Sequence, residues 1–545
     1  MRPTACAMTN AMLKNPIEVL SLFPTHDGTI HGILESRVRL DPARRFMRFQ
    51  NRNWRYEEFQ NEVARAARML AGHGLRTGDR LAVMAPNSDA YLLLFFAAAR
   101  IGAILVPVNP DFGVEEAGYV LKHAEVAAVA CTEDSLPVAR AGCAGMKKTP
   151  WFMLLQGSSE GAPGFADLLE SAPEASLPED ISPEDVCLIV YTSGTTGFPK
   201  GVMHSQRNFI LAAEAFVERM HLQPEDRLLV VLPLFHINAL FYSLGGALAA
   251  GASLVLVPRF SASRFWQTAA ETGATEVNIL ATVGNILVRR PRTEFVAHQI
   301  VKAYGAPISP EIAEVFRAQF NIPVLIEGYG MTEIPGACNN PFEGPHKTGS
   351  MGQAARHPDH SRTFAEMRVV DSAGNKVPDG EVGEIVVRTP IVMKGYYRDP
   401  KQTAAAFRDG WFLTGDMGYR DSDGFFYFVA RSTEIIRKRG ENISAAELDR
   451  VIGRHPKVTE AAAIPVPSEL GEDEILVAVI PKQDVGLTAE QVVEWCTHHL
   501  APVKRPRYLV FVDSLPYTPT HRIARFKLKQ DPTLLARAID LQARS

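Results

Sequence analysis

Apolar and polar positions along this chain follow two periods, which predict helices and buried strands in turn. Residues 56–71 (YEEFQNEVARAARMLA) carry apolar side chains at helical spacing and are followed by two glycines. The chain then reads as strand RLAVMAP, helix NSDAYLLLFFAAARIG and strand AILVPVNP, a βαβ unit that predicts a wound parallel sheet. Further short buried strands are predicted at CLIVYTS, RLLVVLP, SLVLVPR, EVNILAT and PVLIEGY.

The pattern changes at about residue 350. MRVVDSAGNKVPDGEVGEIVVR holds two strand patterns separated by turn residues, and DSDGFFYFVAR resembles a hairpin, so 350–430 is predicted to be a small β subdomain. The helices and strands after residue 431 are sufficient for a further domain. The predicted fold class is α/β, with an N-terminal domain at 1–430 and a smaller α+β domain at 431–545.

One segment, 228–258, has no Asp, Glu, Lys or Arg and is long enough to cross a membrane. Glycines interrupt it, so we interpret it as a buried helix followed by a buried strand and predict no transmembrane segment. The N-terminus lacks the continuous apolar core of a signal peptide. Six cysteines without CxxC spacing are typical of a reducing compartment, and we expect a cytoplasmic protein.

Composition narrows the possible partners. With 22% charged residues and a formal net charge of −4, the chain has no general attraction to nucleic acid. The basic residues near the C-terminus are more typical of a solvated face than of a nucleic-acid site. We therefore look for small-molecule chemistry.

Three polar clusters are candidates for that chemistry. YTSGTTGFPKGV at 191–202 has the glycines, hydroxyls and lysine of an anion-binding loop, although its composition alone is also that of a linker. IEGYGMTE at 326–333 offers the Tyr329 ring for stacking on a base, the Thr332 hydroxyl, and the Glu333 carboxylate, which suits Mg²⁺ beside phosphates. WFLTGD at 411–416 ends in Asp416, a carboxylate able to accept from ribose hydroxyls.

Taken together and in this order, the three clusters resemble the adenylate-forming superfamily of acyl-CoA synthetases, adenylation domains and luciferases. The likeness extends along nearly the whole chain, and DGWFLTGDMGYRDSDGFFYFVARSTEIIRKRGENIS is most similar to the crotonobetaine/carnitine-CoA ligase group. The resemblance implies an ATP- and Mg²⁺-dependent acyl-CoA ligase of fatty acid metabolism. It first joins a carboxylic acid to AMP with release of pyrophosphate. It then transfers the acyl group to coenzyme A after the mobile C-terminal domain rotates.

The resemblance also implies roles for individual residues. The β- and γ-phosphates would be held by Thr192, Ser193, Gly194, Thr195, Thr196, Gly197 and Lys200, the α-phosphate by Thr332 and the Mg²⁺ by Glu333. The adenine would be bordered by Gly305, Ala306, Pro307, Glu327, Gly328, Tyr329, Gly330 and Met331, and the ribose held by Asp416 and Arg431. Lys438, Gly440 and Glu441 would meet the pantetheine of coenzyme A. His236 would stand between the acyl pocket and the coenzyme A tunnel, although next to Phe235 it is equally typical of a packed histidine.

The acyl pocket is predicted to be bounded by His236 to Leu240, Thr282, Val283, the 303–307 loop and Ile334 to Ala337. Because the last of these segments, IPGA, offers an apolar wall without an obvious charged partner, the sequence favours an aliphatic or aromatic acid over a zwitterion. A homodimer is compatible with the sequence.

Two positions depart from the family's pattern. Near the C-terminus the family has Gly-Lys, and its lysine bridges acid and ATP phosphates, whereas LPYTPTHRIAR places His521 and Arg522 there. Arginine keeps the charge but replaces a compact ammonium with a planar fork, and we expect Arg522 to serve during adenylation. At the domain hinge Thr433 stands where the family commonly has Asp or Lys. Two alternatives remain open: an adenylating enzyme that loads a carrier protein, and a non-catalytic protein that binds ATP or an acyl-adenylate.

Overall fold

The structure is a computed structural model of the chain. It describes residues 13–172, 175–192, 199–347, 349–431, 434–438, 441–467, 473–483, 486–517 and 523–541, with the side chains of 437, 441 and 442 outside the description. Of the predicted site residues, Ser193 to Gly197, Gly440, Arg522 and the Glu441 side chain therefore lie outside the described residues, as does Thr433 at the hinge.

The strands have the following bounds in chain order: β1 (Arg45–Phe49), β2 (Arg52–Arg55), β3 (Arg80–Met84), β4 (Ile104–Val108), β5 (Ala128–Cys131), β6 (Trp151–Leu154), β7 (Val186–Thr192), β8 (Lys200–Ser205), β9 (Arg227–Val230), β10 (Ser253–Leu256), β11 (Glu276–Leu280), β12 (Lys302–Ala306), β13 (Val324–Met331), β14 (Ile334–Asn339), β15 (Gln353–Ala354), β16 (Glu366–Val370), β17 (Gly383–Arg388), β18 (Gly395–Tyr396), β19 (Phe407–Arg408), β20 (Trp411–Arg420), β21 (Phe426–Arg431), β22 (Ile435–Lys438), β23 (Glu441–Ser444), β24 (Val458–Pro467), β25 (Asp473–Pro481), β26 (Tyr508–Phe511) and β27 (Ile539–Asp540).

The helices have the following bounds: α1 (Pro16–Ser21), α2 (Ile30–Leu40), α3 (Tyr56–Gly72), α4 (Asp89–Arg100), α5 (Val114–His123), α6 (Leu136–Gly142), α7 (Phe165–Glu170), α8 (Gln206–Met220), α9 (Gly245–Ala250), α10 (Phe265–Thr272), α11 (Ala281–Arg289), α12 (Pro310–Ala318), α13 (Pro400–Ala405), α14 (Ala445–Gly453), α15 (Ala489–His499), α16 (Arg525–Gln530) and α17 (Leu534–Arg537). A π-helix covers Asn238–Leu244, and 3₁₀ turns cover Arg292–Glu294 and Pro502–Lys504.

Two large sheets form the N-terminal part. One has seven strands in the order β18-β8-β7-β4-β3-β5-β6, and the other has nine in the order β15-β14-β13-β12-β11-β9-β10-β1-β2. In the first sheet, strands β4, β3, β5 and β6 are parallel to one another. In the second sheet, β1 and β9 to β13 are parallel. Helices cover both sets of parallel strands. The βαβ prediction is confirmed, and the sequence's parallel strands divide between two sheets.

The small β subdomain pairs β16, β17, β20, β19 and β21 in an antiparallel sheet. Its apolar face shares one core with the two large sheets. That core joins Val202 of β8, Ile334 of β14, Val387 of β17 and Phe412 of β20. Since the strands carrying the three polar clusters pack on a common core, their polar ends are brought to one place.

The C-terminal residues build their own layer. Strands β24, β25, β26 and β27 form a four-stranded sheet, with apolar clusters on both faces made only of residues after Ile435. The fold class is confirmed as α/β with several sheets and a separate C-terminal α+β domain. The boundary between 430 and 431 stays a prediction.

The uncharged segment 228–258 is folded into the core. It contains the end of β9, the π-helix, α9 and β10, and the side chains of α9 and β10 are all buried. Across the described residues, no helix is both long enough and apolar enough to cross a membrane. The prediction of a buried helix followed by a buried strand is confirmed.

Candidate active site

The glycine-rich cluster connects two antiparallel strands. Thr192, the last residue of β7, lies opposite Lys200, the first residue of β8. The strand β8, which the sequence did not indicate, separates this loop from α8, which begins at Gln206. Pairing with β7 and β18 on its two sides makes a strand of KGVMHS, whose local sequence is weakly strand-like. Lys200 therefore emerges at a fixed position on a sheet.

Thr332 and Glu333 form the two-residue turn between β13 and β14, where Met331 pairs with Ile334. Two neighbours hold the turn by its carbonyls. The His204 Nε2–H donates to the Thr332 oxygen at 2.7 Å, and the Met393 backbone N–H donates to the Glu333 oxygen at 2.8 Å. Burial lowers the pKa of His204 to about 4, so the ring is neutral. The cluster predicted to follow a strand is thus part of a hairpin whose tip is fixed on both sides.

The Glu333 carboxylate is buried and lies beside a tyrosine that the sequence did not indicate. The Tyr396 hydroxyl donates to Glu333 Oε1 at 2.9 Å, and Lys200 Nζ lies 4.9 Å from the centroid of the same ring. Burial raises the pKa of Glu333, while the charges of Arg431 and Lys200 act to lower it. We name Lys200, Tyr396 and Glu333 the phosphate-side group.

The backbone of TGD directs Asp416 inward. The Thr414 hydroxyl donates to the Ile385 oxygen at 2.6 Å and accepts from the Asp416 N–H at 3.0 Å. Gly415 has φ +68°, a conformation that favours glycine, and its N–H donates to Glu384 Oε1 at 3.0 Å. The β17–β20 register shifts at the same point, which marks a bulge that re-aims the side chain.

Asp416 has two charged or polar partners. Arg431 lies directly opposite it across β20 and β21, and the distance from Arg431 Nε to Asp416 Oδ1 is 2.8 Å. The Tyr329 hydroxyl donates to Asp416 Oδ2, and the Asp416 side chain is only 1% exposed. We name Asp416, Arg431 and Tyr329 the ribose-side group. Asp416 is thus buried against Arg431 and Tyr329, a feature that the motif itself did not predict.

The predicted adenine residues lie at the adjoining strand ends. Gly305 pairs with Glu327 across β12 and β13, so 302–306 is a strand and the predicted 303–307 loop is corrected accordingly. The Ile308 N–H donates to Glu327 Oε1 at 3.1 Å. Burial nevertheless raises the pKa of Glu327 to about 7.

This shift predicts a pH-dependent stability. The folded state keeps the Glu327 proton up to about pH 7, whereas the ordinary value is 4.5, so the folded state loses stability as the pH rises through this window. We expect Glu327→Gln to gain about 1–3 kcal/mol of unfolding free energy relative to wild type between pH 5 and pH 8. Urea unfolding of both proteins checks this. Glu314→Gln, exposed on α12, is the control, and a gain that is constant with pH would contradict the assignment.

The predicted acyl side holds an unexpected cation. The centroids of the His236 and Phe235 rings lie 4.7 Å apart. Tyr304, a residue of β12, is buried. The wall formed by Ile334 to Ala337 was predicted to have no charged partner, and this is wrong: Arg219 Nη2 donates to the Gly336 oxygen at 2.9 Å. The contact joins α8 to β14 across 117 residues, which a local pattern does not reveal.

Lys438 contacts residues of the C-terminal domain. It is buried, its Nζ lies 2.7 Å from Glu474 Oε1, and it donates to the Arg505 oxygen at 3.2 Å. These contacts anchor β22 within the C-terminal domain. The predicted contact of Lys438 with pantetheine stays a prediction, and Gly440 lies outside the described residues.

Two surface clefts lie elsewhere. One of about 770 Å³ is lined by residues that include Arg52, Glu62 and Asp89, and one of about 590 Å³ by residues that include His357 and Arg420. No predicted site residue lines either cleft. The candidate chemistry gathers instead where β8, the β13–β14 turn and β20 meet.

Comparison with known proteins agrees with this arrangement. The AMP-binding enzyme family matches residues 34–397, and its C-terminal domain family matches 447–522. The first match covers more than half of the chain, so the chain belongs to the AMP-binding enzyme family.

Individual relatives are more specific. The chain is 32% identical over 509 residues to an oxalate–CoA ligase of Arabidopsis thaliana, covering 91% of this chain and 97% of that protein. It is 35% identical over 466 residues to a sulfoacetate–CoA ligase of Cupriavidus necator, covering 85% and 89%. The crystal structure of ATP-bound MatB from Rhodopseudomonas palustris superposes with a TM-score of 0.80 at 27% identity, covering 92% and 98%. The chain is accordingly an ATP-dependent acyl-CoA ligase, an acid–thiol ligase that forms AMP.

Proposed function

We propose that the ligase holds the phosphates of ATP with the phosphate-side group and the ribose with the ribose-side group. One arrangement carries the proposal: the Tyr396 hydroxyl donates to Glu333 Oε1 and the Tyr396 ring lies beside Lys200, while Arg431 is close enough for its charge to act on the pKa of Glu333. The two groups therefore face a common space. The strand ends at Gly305 and Glu327 border that space and suit the adenine, with the Tyr329 ring held in place through its hydroxyl.

Glu333 fits Mg²⁺. Glu333 is 6% exposed, and within the described part of the chain no cationic side chain forms an ion pair with its carboxylate, while Lys200 and Arg431 act on it from farther away. Mg²⁺ in nucleotide enzymes is commonly held by one or two carboxylates together with phosphate oxygens, and no preformed cluster of three ligands occurs among the described residues. When bound, the ion would neutralise phosphate charge, and Tyr396 would keep the carboxylate in one orientation.

The chain's own residues then divide the two half-reactions. In the first, an oxygen of the acid bonds to the α-phosphorus while the bond to pyrophosphate breaks, and Lys200 with Arg522 stabilises the charge on the phosphates. In the second, the coenzyme A sulfur bonds to the acyl carbon and AMP leaves, with His236 at the entrance of the acyl pocket. Thr332, at the tip of the fixed hairpin, is positioned for the α-phosphate in both.

A panel of acids tests the proposal. Purified protein with ATP, Mg²⁺, coenzyme A and aliphatic, aromatic and dicarboxylic acids is expected to release AMP and pyrophosphate and to form a thioester. Arg522→Lys is expected to retain adenylation, and Arg522→Ala to lose about 10²-fold or more. Pyrophosphate release without thioester from free coenzyme A would favour the carrier-loading alternative. Tight ATP binding without pyrophosphate release would favour the non-catalytic one.

The setting of the enzyme is part of the same proposal. We place the reaction in the cytoplasm, with rotation about the 431–434 segment between the half-reactions, and a homodimer is compatible with it. The ligases of oxalate and of sulfoacetate show that relatives take acids that carry a second anionic group. Such acids belong in the panel.

A further inference from the structure

Arg219 on α8 is a buried cation without a counter-ion. Its side chain is 3% exposed, Nε donates to Asn339 Oδ1 at 3.1 Å, and Nη2 donates to the Gly336 oxygen. Nη1 is buried without a hydrogen-bond partner, and across the described residues no carboxylate lies within 4 Å of the guanidinium. Burying a charge in this way is costly unless an anion or several donors and acceptors compensate it.

Aromatic rings offer only part of that compensation. The Arg219 guanidinium carbon lies 5.1 Å from the Tyr242 ring centroid, 5.3 Å from that of Tyr304 and 5.7 Å from that of Phe216. Cation–π contacts of this kind offset less free energy than the desolvation of a guanidinium costs. An anionic group of the substrate would compensate the remaining positive charge of Arg219.

The guanidinium lies directly behind the predicted acyl pocket. Gly336 has φ +65°, and a Cβ built on it would lie 2.3 Å from Arg219 Nη2 and 2.7 Å from Nη1. Gly336 stands three residues after Glu333. Because it has no side chain, there is room for the guanidinium at this position. Tyr304, which precedes Gly305, lies against the same guanidinium with its ring.

Neutral polar groups continue this surface towards solvent. Asn278, the register partner of Tyr304, donates to Ser243 Oγ at 2.8 Å and to Asn238 Oδ1 at 3.1 Å. Asn278 Oδ1 is buried without a partner, and Asn238, two residues after His236, is partly exposed. This surface thus combines the Arg219 guanidinium with the neutral amides of Asn278 and Asn238.

We propose that Arg219 is a specificity-determining residue that binds a second anionic group on the acid, so that the substrate class is a short acid with two anionic ends. This rests on the proposed function, because it uses the same acyl pocket. A planar guanidinium matches a carboxylate or a sulfonate through paired N–H donors. The buried Tyr304 and Tyr242 rings restrict the acid to a short chain.

Matched acids test the proposal with the full-length enzyme. We compare succinate with butanoate and malonate with propanoate, since each pair differs in one anionic end, and sulfoacetate separates sulfonate from carboxylate. Wild type is expected to prefer the dianion by about 100-fold or more in kcat/KM for AMP release. Arg219→Gln is expected to lose about 10²-fold on the dianion and to change within about threefold on the monoanion, with the KM for ATP unchanged. Arg219→Lys should recover part of the preference.

The outcomes separate the two hypotheses. Release of AMP from monoanions without preference for dianions overturns the role of Arg219 and leaves the proposed function intact. Equal losses on both acids in Arg219→Gln would show a structural role and overturn it as well. Thermal shifts with succinate and butanoate in the absence of ATP test binding independently of turnover. A shift with succinate that is lost in Arg219→Gln supports the proposal even if no acid is turned over, and no difference between the acids contradicts it.

Discussion

Replacing Glu333 with glutamine is expected to slow acyl-adenylate formation by about 10²–10³-fold without unfolding the enzyme. Glutamine keeps the size of the side chain and an oxygen that accepts from the Tyr396 hydroxyl, so the hairpin tip remains supported by His204 and Met393. It removes the negative charge that Mg²⁺ would balance. Pyrophosphate release under saturating acid and ATP measures the loss.

The stability of the Glu333→Gln variant tests the same prediction independently of its activity. Because burial raises the pKa of Glu333 above its ordinary value, ionisation of Glu333 costs the folded state stability as the pH rises. Without ligands at pH 8, Glu333→Gln should therefore be at least as stable as wild type. Low activity together with undiminished stability would separate a functional charge from a structural one.

Two controls accompany it. Tyr396→Phe removes the hydrogen bond to Glu333 and keeps the ring beneath Lys200, and we expect a loss of about tenfold. The second half-reaction, started from a synthetic acyl-adenylate, should change within about threefold in Glu333→Gln. Equal losses in both half-reactions, or adenylation within tenfold of wild type, would contradict the assigned role.

Local patterns predicted the elements well where neighbouring residues determine them. The βαβ unit at 80–108, the β subdomain and the C-terminal helices and strands all follow from hydrophobic period and turn residues. Strand β8 was missed because KGVMHS becomes a strand through its partners on both sides, and the 303–307 segment was taken for a loop because its glycine and proline resemble a turn.

The site residues, like the elements, were predictable where a local pattern marks them. Lys200, Glu333 and Asp416 were found because each stands in a short motif. Tyr396, the partner of Glu333, and His204, the partner of Thr332, were not, since they lie 63 and 128 residues away along the chain. Arg219 shows the limit most clearly. In sequence it is one basic residue on an amphipathic helix, and only the packing of α8 against Gly336 turns it into a buried cation. Sheet order and layer packing, which short motifs do not encode, bring these residues together.

The second large effect is expected at the ribose-side group. Asp416→Asn keeps the shape of the side chain but leaves Arg431 without its ion pair, and we expect a loss of about 2–4 kcal/mol in unfolding free energy. We also expect ATP to bind at least about tenfold more weakly, because the amide replaces one of the two carboxylate oxygens that orient Arg431 and Tyr329 and removes the negative charge. Urea unfolding and calorimetric titration with ATP measure the two effects.

A double-mutant cycle with Arg431→Gln tests whether the two residues act as a unit. Since the ion pair is absent in either single variant, Asp416→Asn with Arg431→Gln should lose about 1.5–3 kcal/mol less than the sum of the single losses. Tyr329→Phe removes only the hydroxyl donor to Asp416 and keeps the ring that we place on the adenine. It should therefore cost about 1 kcal/mol in stability and weaken ATP binding less than Asp416→Asn does. Additive losses in the cycle would show that Asp416 and Arg431 stabilise the fold and the nucleotide independently, contrary to the arrangement across β20 and β21.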